Sequence, residues 1–148
     1  MKRSSSLSTR KSRRPKVLAA PFAPAAFEIS GLHIPVVTFL GRFIADGWEF
    51  THPATGEHRD KRTAAKLKAM GAKPGWSDLV LISPAGLFHG LEFKRQGTGR
   101  LSAEQKAFRN RAQARGWPIA VVATIDGAIA VFSHWGCLTH GAWTGGLA

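Results

Sequence analysis

The sequence predicts a single α/β domain with a mixed β-sheet flanked by helices, preceded by a basic arm. Three observations lead there. Segments with apolar residues at helical spacing alternate with short apolar runs of strand length. The length of 148 residues fits one domain, and a hydrophobic fraction of 44% can fill one core. The best apolar run, WPIAVVATI at 117–125, is too short to cross a bilayer and reads as a buried strand.

Residues 1–27 are expected to be a disordered basic arm and an Ala/Pro linker, with the folded domain at 28–148. The arm, MKRSSSLSTRKSRRPK at 1–16, is Ser-rich and nearly devoid of apolar residues, so it cannot bury enough to order itself. From Leu32 onward, Leu32, Val36, Val37, Leu40, Phe43 and Ile44 share a helical face. Pro35 is tolerated only in a first turn, so the helix should start near it, with Gly47 as its stop. A strand or loop is expected at 48–52, then a turn. RTAAKLKAMG, ending at Gly71, reads as a second helix.

DLVLIS at 78–83 and LFHGLEFK at 87–94 read as two strands joined through Ser83-Pro84-Ala85-Gly86, a sequence suited to a type I turn. RQGTGR is a glycine loop. LSAEQKAFRNRAQARG reads as a helix with Ser102 as N-cap, Gln105 completing a capping box and Gly116 at its end. The run at 117–125 is a third strand. Asp126-Gly127 reads as a two-residue hairpin turn, and AIAVFSHW at 128–135 as a fourth strand. The remaining tail has no clear period, and no internal repeat is visible.

Charge narrows the partners. Twenty-one Lys and Arg stand against nine Asp and Glu, a net charge of +12 with a pI near 11.2. That excess implies a polyanionic partner, with nucleic acid the first candidate. The arm reads as a nonspecific phosphate contact in preference to a solubilising tail. A lone cysteine, Cys137, excludes an internal disulfide framework and fits a reducing cytoplasm. No signal peptide or membrane span is expected.

The hairpin carries the chemistry. In the register its turn implies, Ser83 faces Leu87 and Asp78 comes opposite Glu92. Strand alternation puts Glu92 and Lys94 on one face and Phe93 on the other. Two carboxylates this close repel unless one is protonated or a cation joins them. Carboxylate oxygens with waters suit Mg²⁺, or Mn²⁺ in its place, and the Phe93 backbone carbonyl is a further candidate oxygen. Lys94 would orient and help deprotonate the attacking water. Two readings are open: a metal site for phosphodiester hydrolysis, or a solvated ion pair with Lys94 bridging the acids. The turn-defined partner, the glycine loop and the basic body favour the metal site.

An Asp, a hairpin and then Glu-x-Lys resemble the signature of the PD-(D/E)xK nuclease superfamily. The wider stretch KLKAMGAKPGWSDLVLISPAGLFHGLEFKRQGTGRLSAEQKAF resembles its VRR-NUC branch, over about residues 28–125. The resemblance implies a restriction-endonuclease-like fold and Mg²⁺-dependent DNA cleavage. Small stand-alone members, phage-encoded ones included, resemble structure-selective nucleases for junctions or flaps and can be homodimers; a phage protein would act in the bacterial host cytoplasm. On this resemblance Asp78 and Glu92 are metal ligands, Lys94 is the catalytic lysine, and Gln105 matches the family glutamine near the active site. Glu28 matches the family's N-terminal acid, a further metal contributor. Ser77 stands where the family has Pro, and Ala54-Thr55-Gly56 replaces the family's Asn-Gly after a His-Pro.

Arg59, Lys61, Arg62, Lys66, Arg95 and Arg100 are the candidate phosphate contacts around the hairpin. His52, His58 and His89 read as turn or surface histidines, with His89 off the face of Glu92. His134, Cys137 and His140 make a poor zinc set, and Cys137 reads as a small buried hydrophobe. Three functions are consistent with the chain: a metal-dependent DNA endonuclease, a DNA-binding module with a nuclease-like site that does not cut, and a basic packaging protein. The acid-acid-lysine set favours the first.

The arm generates a prediction of its own. Deleting residues 1–16 should weaken DNA binding and flatten its salt dependence by up to ~0.9 for each phosphate that the arm neutralises. An unchanged slope in a salt titration would mean that the arm does not touch DNA.

Overall fold

A computed structural model describes residues 31–53 and 60–142. Residues 1–30, which include the arm and the linker, the segment 54–59 and residues 143–148 lie outside the described residues, and with them Glu28, His58 and Arg59.

Helix α1 (Ile34–Phe43) begins at Pro35's turn, as the sequence predicts. Leu32, Val36 and Leu40 are buried. The helix stops before Gly47, because Ile44 turns to extended backbone and bridges Leu138 of the C-terminal segment. Thr139 N–H donates to Phe43 O at 2.8 Å and Ala45 N–H to Cys137 O at 2.9 Å, so the tail without a clear period is held against the end of α1. Strand β1 (Glu49–Thr51) follows. Helix α2 (Lys61–Ala69) is capped by Asp60, whose carboxylate accepts the Arg62 and Thr63 amides at 3.0 Å. It buries none of its residues.

Strands β2 (Leu79–Ile82) and β3 (Phe88–Phe93) form the predicted hairpin. Gly86 N–H reaches Ser83 O at 2.8 Å and Ser83 N–H reaches Leu87 O at 3.0 Å. Gly86 takes the left-handed backbone, φ 76°, that closes this turn. Helix α3 (Ala103–Ala114) then crosses over to β4 (Ile119–Val122), and α4 (Ile125–Trp135) ends the domain.

The sheet order is β1-β2-β3-β4. The first two pairings are antiparallel and β3–β4 is parallel, so the sheet is mixed. A parallel neighbour needs a crossover, which α3 supplies. Val36 and Leu40 of α1 and Ala128 and Phe132 of α4 pack with Leu79, Leu81, Leu91 and Phe93 on one side of the sheet. Phe108 and Ala112 of α3 pack with Val80 and Phe88 on the other, edged by Trp76 and Trp117. With helices on both sides, every residue of β3 is buried.

Two expectations are corrected. Residues 128–135 are helix, not a fourth hairpin strand, and the fourth strand is instead β1. Thr124 Oγ1 accepts the Gly127 amide at 3.0 Å, so Asp126 and Gly127 form the first turn of α4 instead of a hairpin turn. Ala128, Ile129 and Phe132 then fall on one buried face. A short continuous apolar run does not separate strand from buried helix by its period.

His89 is not a surface histidine. It is buried between Trp48 and Trp135, with ring centroids 4.9 and 5.1 Å away. Its Nδ1–H donates to Leu87 O at 3.0 Å, and burial holds its pKa below the ordinary histidine value. Alternation does place it off the face of Glu92, opposite Leu81.

Gly90 lies between Val80 and Ile119 in the sheet, two residues before Glu92. A Cβ there would run into the Ser77 hydroxyl and stand 2.7 Å from Ile119 Cδ1. Gly90→Ala should therefore destabilise the domain by about 1–3 kcal/mol, as overpacking does. Denaturant unfolding checks this; a midpoint equal to that of the native chain would show that the strand has room to spare.

Candidate active site

The β2–β3 register carries the site. Leu79 pairs with Leu91, so the next step brings Asp78 level with Glu92. The Asp78 carboxylate accepts the Phe93 amide at 2.8 Å, which ties the start of β2 to the end of β3. Glu92 is 4% exposed. Lys94 Nζ stands 2.7 Å from Glu92 Oε1. The Gln105 side-chain amide donates to the same oxygen.

Gln105 does two jobs. Its Oε1 accepts the Ser102 amide at 2.9 Å while Ser102 Oγ accepts the Gln105 amide at 3.2 Å, a complete capping box. Its Nε2 is then left to reach Glu92. Helix capping therefore aims the amide at the carboxylate, and the two roles expected for Gln105 coexist.

Electrostatics mark Glu92. Its pKa is raised to about 7, first by burial and then by the charge of Asp78, while Lys94 pulls it down. A charged hairpin face in water is excluded, because the carboxylate sits between the sheet and α3. Lys94 does pair with Glu92, but the carboxylate it pairs with is buried, and half-buried Asp78 stands beside it. Among the described residues no three His, Cys, Asp or Glu side chains assemble into a metal cage. The donors at hand are two carboxylates and nearby backbone oxygens. A hard cation that keeps several waters, as Mg²⁺ does, fits such a set, and it would relieve the repulsion that adds to burial in lifting the Glu92 pKa.

The four predicted catalytic residues, Asp78, Glu92, Lys94 and Gln105, thus come together. Phe93 joins them through its amide, with its ring in the core. The basic candidates divide. Lys61, Arg62 and Lys66 are exposed on α2, which contributes nothing to the cluster. Arg95 and Arg100 are exposed on the loop that leaves Lys94. Arg109, one turn beyond Gln105, lines a small cleft with Glu92, Ser77 and Gly75.

Two histidines beside Asp78 join the site: His52, of the His-Pro pair that precedes Ala54, and His33, which nothing in the sequence marks. His52 Nδ1 bonds the Asp78 backbone carbonyl. His33 meets His52 edge-on and leans on the Phe93 ring, both at 4.6 Å between centroids. Burial, then His52, holds the His33 pKa below its ordinary value, while Asp78 pulls it up. No local motif announces these contacts, since they join α1, β1 and the sheet. Cys137 is buried as expected; its thiol donates to Phe132 O at 3.4 Å and burial pushes its pKa up to about 11.

No family model matches the sequence, and no curated protein matches it. Two solved structures are similar in fold. One, described as a VRR_NUC domain protein, is 22% identical with a TM-score of 0.59, covering 73% of this chain and 87% of its own. The other, described as a VRR_NUC domain, is 20% identical with a TM-score of 0.47, covering 68% of this chain and 94% of its own. The chain therefore has the α/β fold of a VRR_NUC domain structure, a mixed four-stranded sheet between helices. No helix among the described residues is long and apolar enough to cross a membrane.

The raised pKa has a measurable sign. The folded protein holds a proton on Glu92 that the unfolded chain releases above its ordinary value of 4.5. This contribution to stability is present at low pH and lost as pH rises through about 7. In chelator, melting temperature should fall between about pH 5 and about pH 8 more steeply for the native chain than for Glu92→Gln. Parallel pH profiles for the two proteins would contradict the shift.

Proposed function

We propose that this domain is a Mg²⁺-dependent DNA endonuclease that hydrolyses phosphodiester bonds. The observation that carries the reading is the meeting of Asp78, buried Glu92 and Lys94 at one end of the sheet. A buried carboxylate beside a second one is costly to a fold, and these two gain a purpose if a divalent cation sits between them. Asp78 and Glu92 would hold the ion, with the Phe93 carbonyl as a further oxygen and Glu28 as a contributor from outside the described residues. When bound, the ion supplies Lewis-acid stabilisation of the charge that builds on the phosphate.

The chain's own residues do the rest. Lys94 orients the attacking water and aids loss of its proton, and its ammonium offsets charge on the phosphate. Gln105 holds the Glu92 carboxylate in one orientation. Arg109 on the same helix, and Arg95 and Arg100 on the adjoining loop, are the phosphate contacts nearest the cluster; Lys61, Arg62, Lys66 and Arg59 would extend the backbone track. The net charge of +12 supports DNA as the polyanion. Junction or flap selectivity and a homodimer belong to the same proposal, and rest on the sequence resemblance.

The test is cleavage of plasmid and branched DNA with and without Mg²⁺. Asp78→Ala and Glu92→Ala should each abolish cutting and, by calorimetry, divalent binding. Lys94→Ala should bind metal and DNA nearly as the native chain does, yet cut roughly 10²-fold more slowly or worse. DNA binding with no cutting under any metal would leave a binding module in place of an enzyme.

A further inference from the structure

The backbone carbonyl of Asp78 raises a question that the catalytic set does not answer. Ser83 bonds Leu87 across β2–β3, so odd-numbered residues of β2 turn their backbone groups toward β3. Even-numbered ones, Val80 and Ile82, turn toward β1, where they face Thr51 and Glu49. One step further, Asp78 turns its carbonyl toward position 53. That position is Pro53, which has no N–H to give. The ladder would end there, at the residue whose placement matters most.

His52 fills the gap. Its ring Nδ1 lies within hydrogen-bond distance of Asp78 O, and because a carbonyl only accepts, Nδ1 must carry the proton. The imidazole N–H thus takes the place of the backbone N–H that Pro53 lacks. His33, reaching in from the start of α1, braces the His52 ring edge-on and rests in turn on Phe93. Phe93 is the residue whose amide holds the Asp78 carboxylate from the other side. Asp78 is therefore held at its backbone by β1 and at its side chain by β3.

We propose that His52 is a positioning residue: its Nδ1–H fixes the backbone at Asp78 and so aims that carboxylate at the divalent cation, with His33 as its brace. This rests on the reading of Asp78 as a metal ligand. His52 is exposed, so water can replace its hydrogen bond at little cost to the fold. Removing the ring should then show in metal affinity and not in stability. Partners that orient a metal ligand are typically worth 10–100-fold in metal affinity or activity.

The experiment titrates Mn²⁺ into the full chain and records thermal midpoints alongside. His52→Ala should bind Mn²⁺ about 10-fold more weakly or worse, with a midpoint close to that of the native chain. His52→Asn, whose amide N–H stands near the place of Nδ1, should recover most of the affinity. Asp78→Ala is the control. If Asp78→Ala loses Mn²⁺ and His52→Ala does not, the positioning role is wrong and the metal site stands. If Asp78→Ala binds as the native chain does, the metal reading itself fails and takes this inference with it. An Asn variant as weak as the Ala variant, or an Ala variant whose midpoint collapses, would likewise overturn the role assigned to Nδ1–H.

Discussion

The turn between Ser83 and Leu87 sets the register of β2 against β3, and the pairing of Asp78 with Glu92 follows from it. Strand side chains alternate, so a slip of one residue would send one carboxylate to the opposite side of the sheet. The same register turns the Asp78 carbonyl toward β1 and the Phe93 amide toward the Asp78 carboxylate. One hairpin thereby determines which acids meet, how each is held and which neighbours can touch them.

Burial gives that pairing its force. β3 is covered on both sides, by α1 and α4 and by α3, so Glu92 has lost nearly all of its water. A carboxylate in that place, beside a second one, is held ionised only by the cations and N–H groups around it. Lys94 and the Gln105 amide both converge on Oε1, and neither removes the burden, since the pKa remains near 7. The tension is local and electrostatic. It would vanish if a divalent cation entered, which is why the same arrangement is awkward for an inert domain and useful for a hydrolase.

Around this centre the basic residues fall into two groups. Arg95, Arg100 and Arg109 belong to the elements that build the site, the loop after β3 and helix α3. The cations of α2 stand on a helix that buries nothing in the core. A helix with so little apolar burial draws its stability from caps and local bonds, such as those of Asp60, more than from packing. Its usefulness to the protein would then lie in its charged surface.

Features decided within a few residues could be read from the sequence alone. The Ser83–Gly86 turn, the capping box of Ser102 and Gln105, the start of α1 at Pro35 and the opposition of Asp78 and Glu92 all follow from short-range backbone and hydrogen-bond chemistry. The convergence of Asp78, Glu92 and Lys94 could be read for the same reason, because turn and alternation suffice to place them. Tertiary structure decided what depends on packing between distant segments. An apolar run at 128–135 suits a strand or a buried helix equally until Thr124 caps it and Phe132 finds the core. His89 became a core residue because Trp48 and Trp135, far apart in sequence, close over it. The burial of Glu92, the reach of Gln105 across to it, and the brace of His33 and His52 behind Asp78 likewise exist only once α1, β1 and α3 are laid against the hairpin. A sequence states local preferences directly; the desolvation of a charge depends on which surfaces finally cover it.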